Sequence, residues 1–194
     1  MSTPELIDRL ASSDFNERAK ALAALVQQGR AAAPALTQAL AASDDGIRIQ
    51  AARALAEIGD PATADALAAA TGDANADVRA HAAVGLAHIG DDRALDALIA
   101  TIDYLPDPLR HPYTASVRSL IGLGTRSLGA VAPLLSAEDP NTREHAFLVV
   151  RSVVSTIADW DTVWDALGRY DPAAEPAARE TAAAQWAEWI REHA

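Results

Sequence analysis

Several side chains in this sequence are of types that could do chemistry. His81 and His88, seven residues apart, and the adjacent pair Glu144 and His145 have the donor atoms of metal ligands. Trp160 and Trp164, interleaved with Asp161 and Asp165, combine stacking surfaces with carboxylates. Tyr104, Arg110, His111 and Tyr113 crowd one proline-rich stretch, and Arg118 and Arg126 follow it. None of these sets has the spacing of a catalytic centre. His81 and His88 reach one side of a helix without a carboxylate at matching spacing, so a metal there lacks a third ligand. Tryptophans at i and i+4 serve core or cap packing more often than base stacking. The sequence contains no Cys, which excludes disulfides, thiolate metal sites, cysteine nucleophiles and iron–sulfur clusters. Phosphate-binding glycine loops, nucleophile elbows and His-Glu-x-x-His are absent as well. The expectation is no catalytic residue, no metal and no cofactor, which favours a binding module over an enzyme.

Binding chemistry is better represented. The 194 residues carry 27 Asp and Glu against 16 Lys and Arg, a formal net charge of −11. That opposes nucleic-acid binding, which relies on neutralising phosphates with Lys and Arg. The N-terminus lacks a basic region followed by an apolar one, and no stretch has the length of a membrane span, so the expected setting is cytoplasmic and away from membranes. Charge is uneven along the chain: only residues 109–155 are net basic. Arg110, His111, Arg118 and Arg126 there would make a small anion-attracting patch. Against it stands the alternative that Arg118 belongs to a solvated helix face, aligned with Arg53.

Whatever these residues do, a repeat must position them. An Asx or acidic residue, then Arg four positions on, then Ala three further on, recurs at Asp14/Arg18/Ala21, Asp44/Arg48/Ala51, Asn75/Arg79/Ala82, Asp139/Arg143/Ala146 and, with Glu first, Glu175/Arg179/Ala182. The arginines step by 30, 31, 64 and 36, so the long step hides a degenerate copy. Aligned on its closing glycine, that copy reads Tyr113, Ser116, Leu120, Gly124. Gly29, Gly59 and Gly90 each follow the Arg by eleven residues, which suits a left-handed position closing a helix. Ile47, Ala51, Leu55 and Ile58 follow helical spacing as one buried stripe. Second, shorter apolar helices are expected at 35–40, 62–70, 94–102, 130–135 and 162–167. Hairpins of about 30 residues cannot bury their apolar faces alone and must stack. With 47 alanines, the stack is close-packed through small side chains.

The segments Gly46-Ile-Arg-Ile-Gln-Ala-Ala-Arg-Ala-Leu-Ala-Glu-Ile-Gly-Asp60 and Asp77-Val-Arg-Ala-His-Ala-Ala-Val-Gly-Leu-Ala-His-Ile-Gly-Asp91 resemble HEAT repeats, in the short bacterial form found in phycobilisome lyases. The resemblance covers roughly residues 14–190 and implies an all-α fold: an α-solenoid, or superhelix, of about six helical hairpins including half-repeat caps. One domain is expected over 1–194, with a cap helix at 1–13, repeats over 14–155 interrupted by an atypical loop at 103–112, and a closing repeat and cap at 156–194. Gly85 falls where neighbouring helices approach, aligned with Ala24, Ala54 and Ser119.

For function the resemblance implies several tasks. Second helices in such solenoids line the concave side, which here offers Gln38, Asp65, Asp96, Asp103, Asp161 and Asp165, a surface suited to a protein or peptide of basic character. Deoxyhypusine hydroxylase, of the broader family, binds iron through His-Glu pairs; the corresponding positions here are Ala19-Lys20, Ile49-Gln50, Ala80-His81 and Glu144-His145, of which only the last has both residue types, reversed. Alkyl-purine DNA glycosylases use a basic groove, which an acidic chain lacks. Bilin lyases need a chromophore pocket, for which Tyr104, Arg110, His111 and Tyr113 are the one candidate wall. The leading expectation is a non-enzymatic scaffold or adaptor using the concave surface and the 103–112 loop. The alternative is a small-molecule-handling, lyase-like protein centred on residues 104–126.

Overall fold

The computed structural model describes residues 1–104 and 113–194, and every regular element among them is helical. Two compact units divide the chain, Met1–Ala97 and Leu98–Ala194. In the first, α1 (Thr3–Asp8) continues as a 3₁₀ turn to Ala11 and covers the hairpin of α2 (Phe15–Gln28) and α3 (Ala33–Ala39). The next hairpins are α4 (Asp45–Ile58) with α5 (Ala64–Ala70), and α6 (Ala76–Ile89) with α7 (Ala94–Ala100), whose last residues fall in the second unit. The second unit holds α8 (Ala115–Gly122) with α9 (Thr125–Val131) and a 3₁₀ turn at Ala132–Ser136, α10 (Pro140–Ile157) with α11 (Trp160–Ala166), and the closing α12 (Pro176–His193). This is the all-α, hairpin-repeat fold of the solenoid class, with twelve α-helices among the described residues. None of them is long and apolar enough to cross a membrane.

The repeated motif is a set of three structural jobs. Its first residue caps a helix: the Asp14 carboxylate accepts from Asn16 N at 2.7 Å, Asp44 from Ile47 N at 2.9 Å, Asn75 from Asp77 N at 2.9 Å and Asp139 from Asn141 N at 2.7 Å. Each satisfies an N–H that the first turn would leave unpaired. Glu175 begins α12 without a side-chain cap; its longer side chain makes it a poor substitute. The alanine is buried on every copy, at 21, 51, 82, 146 and 182.

The arginine fastens the turn before its own helix. Nη1 of Arg18 donates to the carbonyls of Ser12 (2.7 Å) and Ser13 (3.1 Å), Arg48 to Ala42 (2.9 Å) and Ser43 (3.3 Å), Arg79 to Asp73 and Ala74 (both 2.9 Å), and Arg143 to Ala137 and Glu138 (both 2.8 Å). Arg179 donates likewise to Ala174 O at 3.1 Å. Arg118 Nη1 lies 3.4 Å from Tyr113 O, the same five-residue step, and Thr114 caps α8 through Val117 N at 3.0 Å. The degenerate copy is therefore Thr114/Arg118/Ile121. Alignment on Gly124 misplaced it because α8 has eight residues where its unit 1 counterparts have fourteen. Arg118 is the counterpart of Arg48 and not of Arg53, and Ser119 is not the counterpart of Gly85.

Each unit has its own core. In unit 1, Leu25, Leu36, Leu55, Leu67 and Leu86 are fully buried among small residues such as Ala51 and Ala82. A Cβ on Gly85 would sit 3.0 Å from Leu67 Cδ1 and 3.2 Å from the Ala56 Cα, so α6 crosses α4 at a distance only glycine permits comfortably. In unit 2, α10 packs on α8, α9 and the 3₁₀ turn at Ala132–Ser136, with Val149, Val150, Val153 and Val154 of α10 buried, as are Leu120, Leu128, Leu135, Tyr170 and Trp186.

Candidate binding surfaces

The carboxylates expected on the second helices are mostly at the surface. Asp65 begins α5 with its side chain 97% exposed and pairs with Arg93 at 3.0 Å. Asp96 on α7 and Asp161 on α11 are exposed, and exposed Asp165 pairs along its own helix turn with Arg169 at 2.8 Å. Gln38 is exposed on α3. Asp103 has a different setting: its carboxylate accepts from Thr142 Oγ1 at 2.6 Å and from the Nδ1–H of buried His145 at 2.5 Å. Asp103 is therefore tied to the first turns of α10.

That tie belongs to a polar seam. Thr101 and Ser116 hydroxyls meet at 2.9 Å, Thr114 Oγ1 donates to Ile102 O at 2.7 Å, and Asp103 engages α10. Three successive residues, 101 to 103, thus each bond to another part of unit 2. Tyr104 is exposed and Tyr113 half-buried at the two edges of this seam. Arg110 and His111, named in the sequence as candidate pocket residues, lie outside the described residues. Arg118 on α8 and Arg126 on α9 are both exposed; Arg118 turns to the Tyr113 carbonyl, and Arg126 borders a cleft of about 480 Å³ with Ile190 and Arg191 of α12.

His81 and His88 have structural settings. His88 Nδ1 donates to Ala56 O at 2.7 Å, satisfying a carbonyl in the last turn of α4, and its ring lies against Gly59, whose φ of +63° favours glycine. His81 is half-buried on α6; burial and the Arg53 guanidinium hold its pKa down to about 4, against smaller opposing effects of Asp77 and Glu57. Among the described residues no three His, Asp or Glu side chains are placed to hold a metal. Ion pairs shift other groups: Arg93 hydrogen-bonds Asp91 and brings it to about 2, and Arg48 lowers Asp73 through a 2.9 Å bond. Desolvation raises the Tyr170 phenol to about 12, and its hydroxyl donates to Leu135 O at 2.6 Å.

Trp160 and Trp164 are packing residues. Phe147 meets Trp160, Trp164 and Tyr170 at ring centroid distances of 6.0, 5.4 and 5.3 Å, and Trp186 stacks on Trp160 at 5.2 Å. The sequence reading missed what this cluster leaves open. Along the outer face of α10, an open groove of about 620 Å³ runs over Phe147 and Leu148 between Glu144 and Arg151, with Pro172 and Ala173 as its wall. The signal was available: Phe147 and Leu148 widen the apolar face of α10 beyond the stripe of Ala146, Val149, Val150 and Val153 that the core needs.

A family model of HEAT repeats matches residues 3–77 and 33–116. No curated protein matches the chain. Similar solved structures include an engineered protein at 17% identity and TM-score 0.49, covering 100% of this chain and 98% of its own. A designed armadillo repeat protein shows 15% identity and TM-score 0.47, with 97% of this chain and 100% of that one covered. The complex of CpcE and CpcF of phycocyanin lyase from Nostoc sp. PCC7120 shows 24% identity and TM-score 0.45 over 94% of this chain and 96% of that one.

Proposed function

The chain belongs to the HEAT-repeat family, and from that premise we propose that it is a non-catalytic scaffold or adaptor whose second-helix face, with the 103–112 loop, holds a protein or peptide of basic character. The observation that carries this reading is the exposure of Asp65, Asp96, Asp161 and Asp165 on the second helices. The polar side chains that recur from repeat to repeat are committed to helix caps and turn carbonyls, whereas Asp96 and Asp161 are exposed and the ion pairs of Asp65 with Arg93 and Asp165 with Arg169 lie at the surface. Exposed like charges attract an oppositely charged partner and speed its encounter, with a marked dependence on salt. Repetition also distributes such groups along a surface, while catalysis needs different groups converging on one point.

Calorimetric titration with a lysine- and arginine-rich amphipathic peptide tests the reading. Binding that weakens at high salt and is lost in the combined variant Asp65→Asn, Asp96→Asn, Asp161→Asn, Asp165→Asn supports it. Equal binding by this variant sinks it. Asp103 is left unchanged in the test because its loss would also release His145 and Thr142.

A further inference from the structure

The outer face of α10 carries a second recognition surface, with chemistry unlike the acidic second helices and independent of that reading. Its floor is half-buried Phe147 and Leu148, and its wall is Pro172 with Ala173. Apolar surface of this kind on an exposed helix face marks a contact site when charged groups frame it. Here the frame is polar in direction. At one end exposed Arg151 lies with its guanidinium carbon 5.9 Å from the Trp160 ring centroid and has no carboxylate partner among the described residues. At the other end exposed Glu144 has no cationic partner among the described residues. Arg143, next to Glu144 on the chain, is 7% exposed and spends its guanidinium on the carbonyls of Ala137, Glu138 and Pro172. Asp171, next to Pro172, turns its carboxylate to Ala173 N at 2.8 Å.

We propose that this groove binds a peptide segment of another protein, in the polyproline II conformation, in which a carboxylate and a cation, three residues apart, flank apolar side chains. Glu144 and Arg151 are seven residues apart on one helix, a rise of about 10 Å. Three residues of chain in the polyproline II conformation complete one turn over about 9 Å, which returns the first and fourth side chains to the same edge. The carboxylate meets Arg151, the cation meets Glu144, and the apolar side chains between them cover Phe147 and Leu148. A segment with two like charges meets repulsion at one end, which gives the groove selectivity through the charge it rejects.

Fluorescence anisotropy of a labelled peptide with the core Lys-Leu-Phe-Asp, flanked by glycines, tests the proposal on the full chain. The expected result is binding at least tenfold tighter than that of Lys-Leu-Phe-Lys or Asp-Leu-Phe-Asp. Arg151→Glu weakens it at least tenfold, and Glu144→Arg combined with Arg151→Glu restores it with the peptide reversed. All the substituted side chains are exposed, and unchanged melting temperatures confirm that the variants fold. Indifference of the peptide to Arg151→Glu, or equal binding of all three peptides, overturns the proposal. So does a sedimentation shift showing that a second copy of the chain occupies the groove and is released by Arg151→Glu. The lysine- and arginine-rich peptide keeps its affinity for Arg151→Glu, so failure here and failure of the acidic-face reading are told apart.

Discussion

Arg143 and Arg53 show how differently one residue type can be used. Arg143 is buried and donates to three carbonyls; Arg53 is half exposed and pairs with Glu57 one turn on at 3.0 Å. Hydrogen bonds to a buried charged group are each worth more than neutral ones, and stranded carbonyls add a desolvation cost. Arg143→Met should therefore lower unfolding stability by about 2–4 kcal/mol, whereas Arg53→Met should cost under about 1 kcal/mol; urea melts of the two variants check the contrast. His81 sets an acid limit. Its folded pKa of about 4 lies below the ordinary 6.5, so the unfolded chain takes up the proton first. Its neutral form is fully compatible with folding above pH 6.5, and stability is lost as pH falls from 6.5 towards 4. His81→Leu should flatten the melting temperature across that window, and Asp91, held at about 2, keeps contributing until still lower pH. The sequence displayed each of these residues, but not their duties. An Arg four residues after a helix cap reads equally well as a surface charge, and only the placement of the preceding turn reveals its acceptors.

At the scale of elements, hydrophobic period and cap residues fixed most helices to within a few residues. The expected 94–102 helix is α7 at Ala94–Ala100, and the expected 162–167 helix is α11 at Trp160–Ala166. At α8 the closing glycine is a poor register mark, because the helix keeps its start and ends early; the cap residue Thr114 and Arg118 are the safer marks. The 130–135 helix likewise begins five residues earlier, at Thr125, and finishes as a 3₁₀ turn. Close packing was legible at Gly85, where the structure leaves 3.0 Å between a hypothetical Cβ and Leu67. Gly85→Leu should destabilise by about 1–3 kcal/mol through overpacking. A thermal melt equal to that of the unsubstituted chain would contradict this crossing of α4 and α6. The groove on α10 escaped the sequence because its wall comes from Pro172 and Ala173, some 25 residues beyond its floor.

For the molecule as a whole, 27 acidic against 16 basic residues imply self-repulsion that the local ion pairs only partly offset. Screening acts on such repulsion over about 10 Å at 0.1 M salt. Melting temperature should therefore rise between about 0.02 and about 0.3 M sodium chloride, a trend that scanning calorimetry would show; a fall would mean that attractive pairs such as Arg48 with Asp73 dominate. The arginine bonds carry one more consequence, for inheritance. Arg18, Arg48, Arg79 and Arg143 each reach back across the turn to carbonyls five and six residues upstream. A copy excised from cap to cap leaves those acceptors behind in its neighbour. The piece that travels with its own bonds runs from one short helix through the turn into the next long one. Gene duplications, and grafts made in the laboratory, should accordingly be tolerated when spliced at the glycines that end the long helices and resisted when spliced at the Asp and Asn caps.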